Sequence, residues 1–362
     1  MSLNVLVDGY NLELPQGTGI KTYSENLLSA LKHLGYSTTV LTSRQINPQE
    51  PLAQYQLLTK YKCYRVSNLL FKGLGIKSQF KIKQPNIDIW HATYPLPITI
   101  KNTLKITTIH DLIPLKLPHL TLDNKRFFKE LINISLQESH CIVTVSESTK
   151  KDIIELFNYP EEKIHITYQP TIFRKIDSTN NNILEKYQLE KNNYILFVGA
   201  IEPKKNVQRI IEAYQQLRLK QPLVIIGKKA WLWQEELKNI NTSSVILLDY
   251  VSKQELQYFY QGATCFIFPS LYEGFGLPVL EAMSFGTPVI TSNISSLPEV
   301  AGDAALYVDP YNTQDIAEKL NYLINNNELR EKLAKAAQQR AKIFTMEKYL
   351  QKIAEIYQNL GI

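Results

Sequence analysis

Short apolar runs rich in β-branched residues alternate with helix-like patterns along almost the whole chain. This alternation is typical of parallel sheets covered by helices, because each parallel strand needs a long crossover connection to the next. Strands are predicted at 4–8, 38–42, 87–91, 105–110, 141–146, 164–168, and then at 194–199, 223–227, 245–249, 265–269, 288–292 and 305–308. The sequence therefore predicts an α/β protein built from two six-stranded units in succession.

A polar segment separates the two halves and indicates a linker. Residues 171–193 contain the run Asp177-Ser-Thr-Asn-Asn-Asn182, which neither a strand nor a buried helix would favour. We predict domains at 1–172 and 173–345, followed by a helix at 346–362 that packs back on the first domain. A ligand is expected in the cleft between two such domains, at the carboxyl ends of the strands.

The composition is that of a globular protein. The 362 residues are 44% hydrophobic and 20% charged, enough for two separate cores. No apolar run reaches the length of a membrane span, and the first residues read as a strand rather than a signal peptide. Cys63, Cys141 and Cys265 are odd in number and widely spaced, so we expect buried core thiols and a cytoplasmic location.

The formal net charge of +6 has two interpretations. One is a soluble surface with a slight basic excess. The other is a contact with anionic lipid at the inner face of the plasma membrane. Residues 71–83 mix four lysines with apolar side chains and contain no acid, and residues 124–129 are similar. Nucleic acid is disfavoured, because no nucleic-acid-binding motif accompanies the charge.

The run Glu273-Gly-Phe-Gly-Leu-Pro-Val-Leu-Glu281 follows an apolar strand and carries the clearest chemical signal. A glycine turn that leads into a helix, with Pro278 in its first turn, builds an anion site from the amides of Gly276 and Leu277. Glu273 precedes these amides, and Glu281 lies about two turns into the helix. A phosphate flanked by two hydroxyl-binding carboxylates is what a nucleotide sugar requires.

A second motif, residues 198–206, lies at the end of the first strand of the second half. Asn206 is predicted to cap the next helix, so Lys204 and Lys205 project from a strand-to-helix turn. Two ammonium groups there could neutralise a diphosphate. The alternative is a solvated lysine pair, which is disfavoured because cations oppose the dipole at a helix N-terminus.

The two motifs occur in order, about seventy residues apart, and are followed by the segment 295–305. In this arrangement the chain strongly resembles the retaining family 4 glycosyltransferases of GT-B fold, especially mannosyltransferases. The resemblance implies two Rossmann-like domains facing a central cleft, the first binding the acceptor and the second the nucleotide sugar. It implies transfer of a hexose, with GDP-mannose as the first choice of donor, to a glycan or lipid-linked acceptor in polysaccharide biosynthesis. No Asp-x-Asp sequence occurs in the chain, so neither a metal nor another cofactor is expected.

The resemblance also assigns roles in the second half. Glu273 corresponds to the glutamate on the donor sugar, Glu281 to the one on the ribose, and Lys205 to the lysine on the diphosphate. Ala200 stands where many members have an arginine. It is therefore open whether Lys205 neutralises the diphosphate alone or together with Lys204. The remaining expected donor contacts lie in the phosphate run and in the base pocket: Gly199, Gly274, Phe275, Gly276 and Leu277, and Gly227, Tyr250 and Val251.

In the first half, Gly17 and Gly19 resemble the family's glycine loop, and His110 corresponds to the histidine beside the donor sugar. His91 is a more ambiguous candidate, and Asp111 could orient His110. The segment at Tyr168 departs from the Asn-Gly-Val of many relatives, so the geometry of domain closure is expected to differ.

Two other classes of protein stay open at this point. A nucleotide-sugar epimerase or hydrolase of related architecture would bind the same donor but need no sugar acceptor. A catalytically silent partner subunit would keep the fold but should have lost the charged site residues, which are present here. A dehydrogenase is disfavoured, because no dinucleotide fingerprint follows the first strand.

Overall fold

The structure is a computed structural model that describes residues 3–14, 19–82, 86–171, 182–238, 240 and 243–360. The chain divides into two compact units. Unit 1 consists of Met1–Pro118, Asp123–Pro170 and Met346–Ile362, and unit 2 of His119–Leu122 and Thr171–Thr345. Each unit is built around its own parallel sheet.

Within the described residues the strands are short, mostly of four to six residues. They are β1 Asn4–Asp8, β2 Ser37–Thr42, β3 Gln56–Thr59, β4 Ser78–Phe80, β5 Ile89–Ala92, β6 Ile98–Ile100, β7 Leu104–Ile109, β8 Cys141–Thr144, β9 Ile164–Ile166, β10 Ile195–Val198, β11 Leu223–Ile226, β12 Val245–Leu248, β13 Cys265–Phe268, β14 Val289–Ser292 and β15 Ala305–Val308.

The helices of the described residues alternate with these strands. They are α1 Gly19–His33, α2 Cys63–Leu74, α3 Ile113–Lys116, α4 Lys125–Glu138, α5 Glu147–Phe157, α6 Asn182–Lys186, α7 Val207–Leu217, α8 Trp233–Glu236, α9 Lys253–Gly262, α10 Leu277–Phe285, α11 Leu297–Ala301, α12 Thr313–Ile324, α13 Asn327–Ala341 and α14 Met346–Gln358.

The sheet of unit 1 has the strand order β3-β2-β1-β5-β7-β8-β9, and that of unit 2 has the order β12-β11-β10-β13-β14-β15. All pairings are parallel. In each sheet the strand order reverses once, between β1 and β5 in unit 1 and between β10 and β13 in unit 2. Loops diverge at such a switch point and leave a crevice where α/β sheets bind ligands.

The predicted two-sheet α/β architecture is confirmed, with one correction to the strand count. The first half holds a seven-stranded sheet and a separate pair, β4 and β6, rather than six strands. The missed β3 is an edge strand whose four residues are at most half-buried. An edge strand contributes too few buried apolar residues to give a clear periodic signal.

The inner strands of both sheets are buried on both faces, which explains their continuous apolar sequences. Phe197, Phe266 and Phe268 form a stack of aromatic rings in unit 2, with centroids 5.7 and 5.8 Å apart. The three cysteines are free and buried, as predicted.

Helix α14 belongs to unit 1. Its Tyr357 is buried, and the hydroxyl lies 2.7 Å from Nδ1 of His91 in β5. Among the described residues, no helix has the length and hydropathy that crossing a membrane would need.

Candidate active site

Two loops of unit 2 meet at the switch point of its sheet. One follows β10 and contains the lysine motif, and the other follows the neighbouring strand β13 and contains Glu273. The Leu271 amide donates to the Lys204 carbonyl at 2.8 Å, which joins the two loops through their backbones. The topology therefore brings together two motifs that are far apart in the sequence.

Lys205 and Glu273 form an ion pair at this junction. Nζ of Lys205 lies 2.5 Å from Oε1 of Glu273, and the two side chains are only 13% and 12% exposed. The same ammonium lies 5.1 Å from the centroid of the Phe268 ring, which adds a favourable cation–π contact. The two residues were predicted to meet different parts of a ligand, and the structure places them in direct contact.

Ser270 holds Glu273 in place and was not singled out from the sequence. Its fully buried hydroxyl lies 2.5 Å from Oε1 of Glu273 and 2.9 Å from the Lys204 carbonyl oxygen. The backbone of Glu273 is fixed as well, because Ser296 donates to its carbonyl and Ser295 accepts from its amide. The sequence signal for these contacts is weak, since serine is common wherever a strand ends.

Asn206 lies at the predicted N-cap position of α7, but the prediction that its side chain caps the helix is wrong. Asn206 precedes α7 with φ of 62°, and its side chain makes no capping hydrogen bond. Instead Nδ2 donates to the carbonyls of Pro269 and Pro310, at 2.9 and 2.7 Å. The residue joins the lysine loop to the end of β13, because two buried carbonyls there need a donor.

Lys204 and Lys205 differ in their surroundings although they are adjacent. Both belong to the 3₁₀ helix Pro203–Lys205 that precedes α7. Nζ of Lys204 lies 3.3 Å from Oε1 of Glu202, and its side chain is 27% exposed. Lys205 is therefore the more buried of the two cations and the one that contacts Glu273.

The predicted anion site depends on the backbone at the start of α10. Gly276 has φ of 106°, a conformation that favours glycine, and a Cβ there would lie 2.7 Å from Cδ2 of Leu297. In the described part of the chain, the amides of Gly276 and Leu277 donate no hydrogen bond, and Pro278 has none to donate. These are the donors that an anion at a helix N-terminus would accept from.

The other residues of this run have structural contacts. The side chain of Phe275 is buried and packs edge-on against Phe344, with ring centroids 5.7 Å apart. Its carbonyl accepts from the Ser296 hydroxyl at 2.8 Å. Gly274 lies in the same turn, and the buried phenyl ring of Phe275 is not available to a ligand.

Glu281 lies in the second turn of α10 and is partly buried. The hydroxyl of Tyr260 donates to its Oε2 at 2.8 Å. Burial raises the pKa of Glu281 to about 7 and outweighs the Tyr260 hydrogen bond, which acts in the opposite direction. The carboxylate therefore lies where a hydroxyl donor from a ligand would favour its ionised form.

The predicted base-pocket residues end the neighbouring strands. Gly227 follows β11, and a Cβ there would lie 1.8 Å from the carbonyl oxygen of Gly199, so only glycine fits this close approach. Tyr250, which follows β12, is 73% exposed, whereas Val251 is buried.

In unit 1, His110 directly follows β7 and is buried. Burial lowers its pKa to about 4, so the ring is neutral at pH 7. Its Nε2 lies 2.8 Å from the carbonyl oxygen of Thr93, which can only accept, so the proton resides on Nε2. The Tyr23 ring packs edge-on against the imidazole at 4.7 Å.

The other candidate residues of the first half lie in different surroundings. His91 is a core residue, bonded to Tyr357 and to Thr108 through its two ring nitrogens. The Asp111 carboxylate accepts from the Ile113 amide at the start of α3. Gly19 is the first residue of α1, and Gly17 lies outside the described residues.

Comparison with known proteins decides the family. A model described as "Glycosyltransferase Family 4" matches residues 17–171, and one described as "Glycosyl transferases group 1" matches residues 179–340. O-antigen chain mannosyltransferase B of Escherichia coli is 36% identical over 254 residues, which is 67% of this chain and 67% of the relative. The chain belongs to the family 4 glycosyltransferases.

A second relative of this glycosyltransferase matches over a longer stretch. O-antigen chain mannosyltransferase RfbU of Salmonella typhimurium is 28% identical over 308 residues, 81% of this chain and 84% of the relative. Both relatives are named as O-antigen chain mannosyltransferases.

Solved structures agree on the GT-B fold. Anabaena HepE, crystallised with UDP and glucose, has a TM-score of 0.79 at 15% identity, covering 99% of this glycosyltransferase and 100% of that chain. Sucrose-phosphate synthase from Thermosynechococcus elongatus has a TM-score of 0.76 at 17% identity, covering 99% of both chains.

The described residues contain no cluster of three His, Cys, Asp or Glu side chains suited to a metal ion.

Proposed function

We propose that this glycosyltransferase transfers a hexose from a nucleoside-diphosphate sugar to a hydroxyl of a glycan or lipid-linked acceptor, with retention of anomeric configuration. The observation that carries the proposal is the meeting of Lys205, Glu273 and the start of α10 at one switch point. GDP-mannose is the first choice of donor, supported by the mannosyltransferase names of two relatives.

The leaving diphosphate would be bound by two kinds of positive group. Lys205 supplies a full charge, and the Gly276 and Leu277 amides supply aligned donors at the helix N-terminus. Preorganised donors of this kind stabilise the charge that develops on the leaving group, and removing one typically costs about 10²–10³ in rate. No metal is needed for this task in the proposal.

Glu273 would leave its contact with Lys205 when the diphosphate takes over the ammonium. Its carboxylate then faces the sugar hydroxyls and stabilises positive charge near the anomeric carbon. Attack by the acceptor hydroxyl on the face from which the diphosphate departs preserves the configuration. The departing phosphate oxygen accepts the acceptor proton, so Glu273 does not need to form a covalent intermediate.

Glu281 would accept the ribose hydroxyls, with Gly227, Tyr250 and Val251 beside the base. Neutral His110 is assigned to the donor sugar by the family resemblance, and its Nδ1 can accept a hydrogen bond from a hydroxyl. The reaction is expected at the cytoplasmic side of a membrane that carries the growing polysaccharide.

The test is incubation of the purified enzyme with UDP, GDP and ADP sugars, with and without lipid-linked and soluble mannoside acceptors. The expected result is acceptor-dependent release of GDP from GDP-mannose, unchanged by EDTA, with an α-linked product by NMR because the donor is α-linked. Nucleotide release without a transfer product would indicate a hydrolase or epimerase. Lack of turnover with every donor would indicate a silent subunit.

A further inference from the structure

Asp8 is a fully buried carboxylate that the proposed mechanism does not use. It ends β1, next to β5, where the strand order of the unit 1 sheet reverses. Its Oδ2 accepts the amide hydrogen of Thr93, and its Oδ1 accepts that of Tyr10 at 3.2 Å. Among the described residues, no lysine, arginine or histidine forms an ion pair with Asp8. The carboxylate therefore depends on neutral donors there.

The buried charge of Asp8 costs stability. Burial raises the pKa of Asp8 to about 6, although the hydrogen bonds from Thr93 and Tyr10 act in the opposite direction. The ionised form is therefore less favourable in the folded protein than in water. A neutral side chain of similar size would avoid this cost, and buried ionisable groups of this kind often serve a functional site. The contacts of Thr93 show what the carboxylate supports.

Thr93 is held on several sides and is itself fully buried. It directly follows β5, and its hydroxyl lies 3.0 Å from that of Ser24 in α1. Its amide and its hydroxyl both form hydrogen bonds to the Asp8 carboxylate. Its carbonyl accepts from Nε2 of His110 at 2.8 Å. Asp8 and His110 therefore bind the same residue, the first through its amide and the second through its carbonyl.

This arrangement determines which ring nitrogen of His110 carries the proton. While the Thr93 carbonyl stays in place, the proton is held on Nε2, and Nδ1 is the hydrogen-bond acceptor of the ring. The imidazole also contacts the ring of Tyr23, whose hydroxyl lies 2.8 Å from that of Thr108. Tyr23 restricts the orientation of the imidazole, whereas the Thr93 carbonyl selects its tautomer.

We propose that Asp8 is a positioning residue of the transfer reaction, which through Thr93 keeps the ring proton of His110 on Nε2. Nδ1 is then the atom that accepts a hydrogen bond from a hydroxyl of the donor sugar. Without the carboxylate, the buried Thr93 amide needs another acceptor, and the segment that carries the Thr93 carbonyl shifts with it. The contact of His110 with the sugar rests on the proposed function, whereas the effect of Asp8 on the His110 tautomer does not.

The test combines NMR of the ring nitrogens with transfer kinetics of the full-length protein. Long-range proton–nitrogen spectra of histidine-labelled protein show which ring nitrogen carries the proton, and His110→Gln assigns the His110 signals. The wild type should show the Nε2–H form. Asp8→Ala should populate the Nδ1–H form and lower kcat about 10–100-fold, with a change of less than about threefold in the donor KM. Asp8→Asn keeps one oxygen for the Thr93 amide, so it should restore the wild-type tautomer and most of kcat.

Two controls separate a positioning role from a general loss of structure. Asp88→Ala removes a carboxylate that also accepts a backbone amide of β1, that of Asn4 at 2.8 Å, but at the opposite end of the strand. It should leave the His110 tautomer and kcat unchanged. In the His110→Gln background, Asp8→Ala should cause no further loss of kcat, because both substitutions act on the same group.

Asp8→Ala removes a buried charge that has no counter-charge among the described residues, so we expect the variant to fold. If it does not, Asp8→Val fills more of the space, accepts no hydrogen bond and repeats the measurement. An unchanged His110 tautomer, an equal loss of kcat in Asp88→Ala, or an additive loss in the His110→Gln background would overturn the proposal. A wild type that transfers no sugar but has a tautomer that depends on Asp8 would refute the proposed function and support the positioning of His110 by Asp8.

Discussion

The ion pair between Lys205 and Glu273 makes a quantitative prediction for a double-mutant cycle. At 2.5 Å, two unit charges attract each other by about 6–7 kcal/mol at an effective dielectric constant of 20. Desolvation offsets much of this, because the side chains are only 13% and 12% exposed. Residues in contact typically couple by about 0.5–3 kcal/mol, and we expect about 2 kcal/mol here.

The variants are Lys205→Met, Glu273→Gln and the two combined. Lys205→Met should lower the free energy of unfolding by about 2–3 kcal/mol, because the Glu273 carboxylate loses its counter-charge in a mostly buried site. The double variant should cost clearly less than the sum of the single variants. Urea unfolding is followed by circular dichroism and by tryptophan fluorescence, since Trp231 and Trp233 lie in the same unit as the pair.

An exposed ion pair in the same unit provides the control. Lys238 and Glu235 lie 4.0 Å apart with side chains 70% and 65% exposed, so their coupling should be below about 0.5 kcal/mol. Coupling that small for Lys205 and Glu273 would refute the reasoning. Transfer activity gives an independent readout. The double variant should transfer sugar at least about 100-fold more slowly than the wild type, although it loses less stability than the two single variants do together.

Three further predictions concern single residues of unit 2. Because the pKa of Glu281 is raised to about 7, its proton is lost between pH 6 and 8, so GDP-mannose, whose doubly esterified diphosphate loses no proton in this range, should bind more tightly as pH rises. Calorimetric titration of Glu281→Gln should show weaker binding without this slope, and a persisting slope would exclude Glu281 as its source. Ser270→Ala should lower kcat about tenfold with little change in the donor KM, and Ser270→Thr should restore part of the loss, whereas a change in KM alone would contradict a positioning role. Gly227→Ala should destabilise unit 2 by about 3 kcal/mol in urea unfolding, because its Cβ would meet a backbone oxygen at 1.8 Å, and a wild-type stability would show that the loop can move aside.

The architecture could be predicted from the sequence because parallel strands buried on both faces produce continuous apolar runs. The runs at β10, β13 and β14 lie within one or two residues of their predicted bounds. The edge strand β3 was not predicted, because its half-buried residues do not form such a run. Periodicity reports burial, and it loses its signal where burial is partial.

The candidate site was only partly predictable. Glu273 and Lys205 stand out in the sequence because they lie in turns that follow apolar strands, and Glu281 stands out through the family resemblance. The contact between Lys205 and Glu273 could not be inferred, since it depends on the adjacency of β10 and β13 in the sheet. The hydrogen bonds of Asn206 could not be inferred either, because the carbonyl groups of Pro269 and Pro310 that accept them are distant in sequence.

The central claim is that Lys205 and the start of α10 hold the donor diphosphate. The most direct measurement is calorimetric titration of GDP and UDP into the wild-type enzyme, Lys205→Ala and the adjacent Lys204→Ala. The account predicts one binding site that Lys205→Ala weakens by about tenfold or more, since a hydrogen bond to a charged group is worth about 1.5–3 kcal/mol. Lys204→Ala should have a smaller effect, because the Lys204 side chain is more exposed, 27% against 13% for Lys205. Equal effects of the two substitutions, or no binding of either nucleotide to the wild type, would contradict the account.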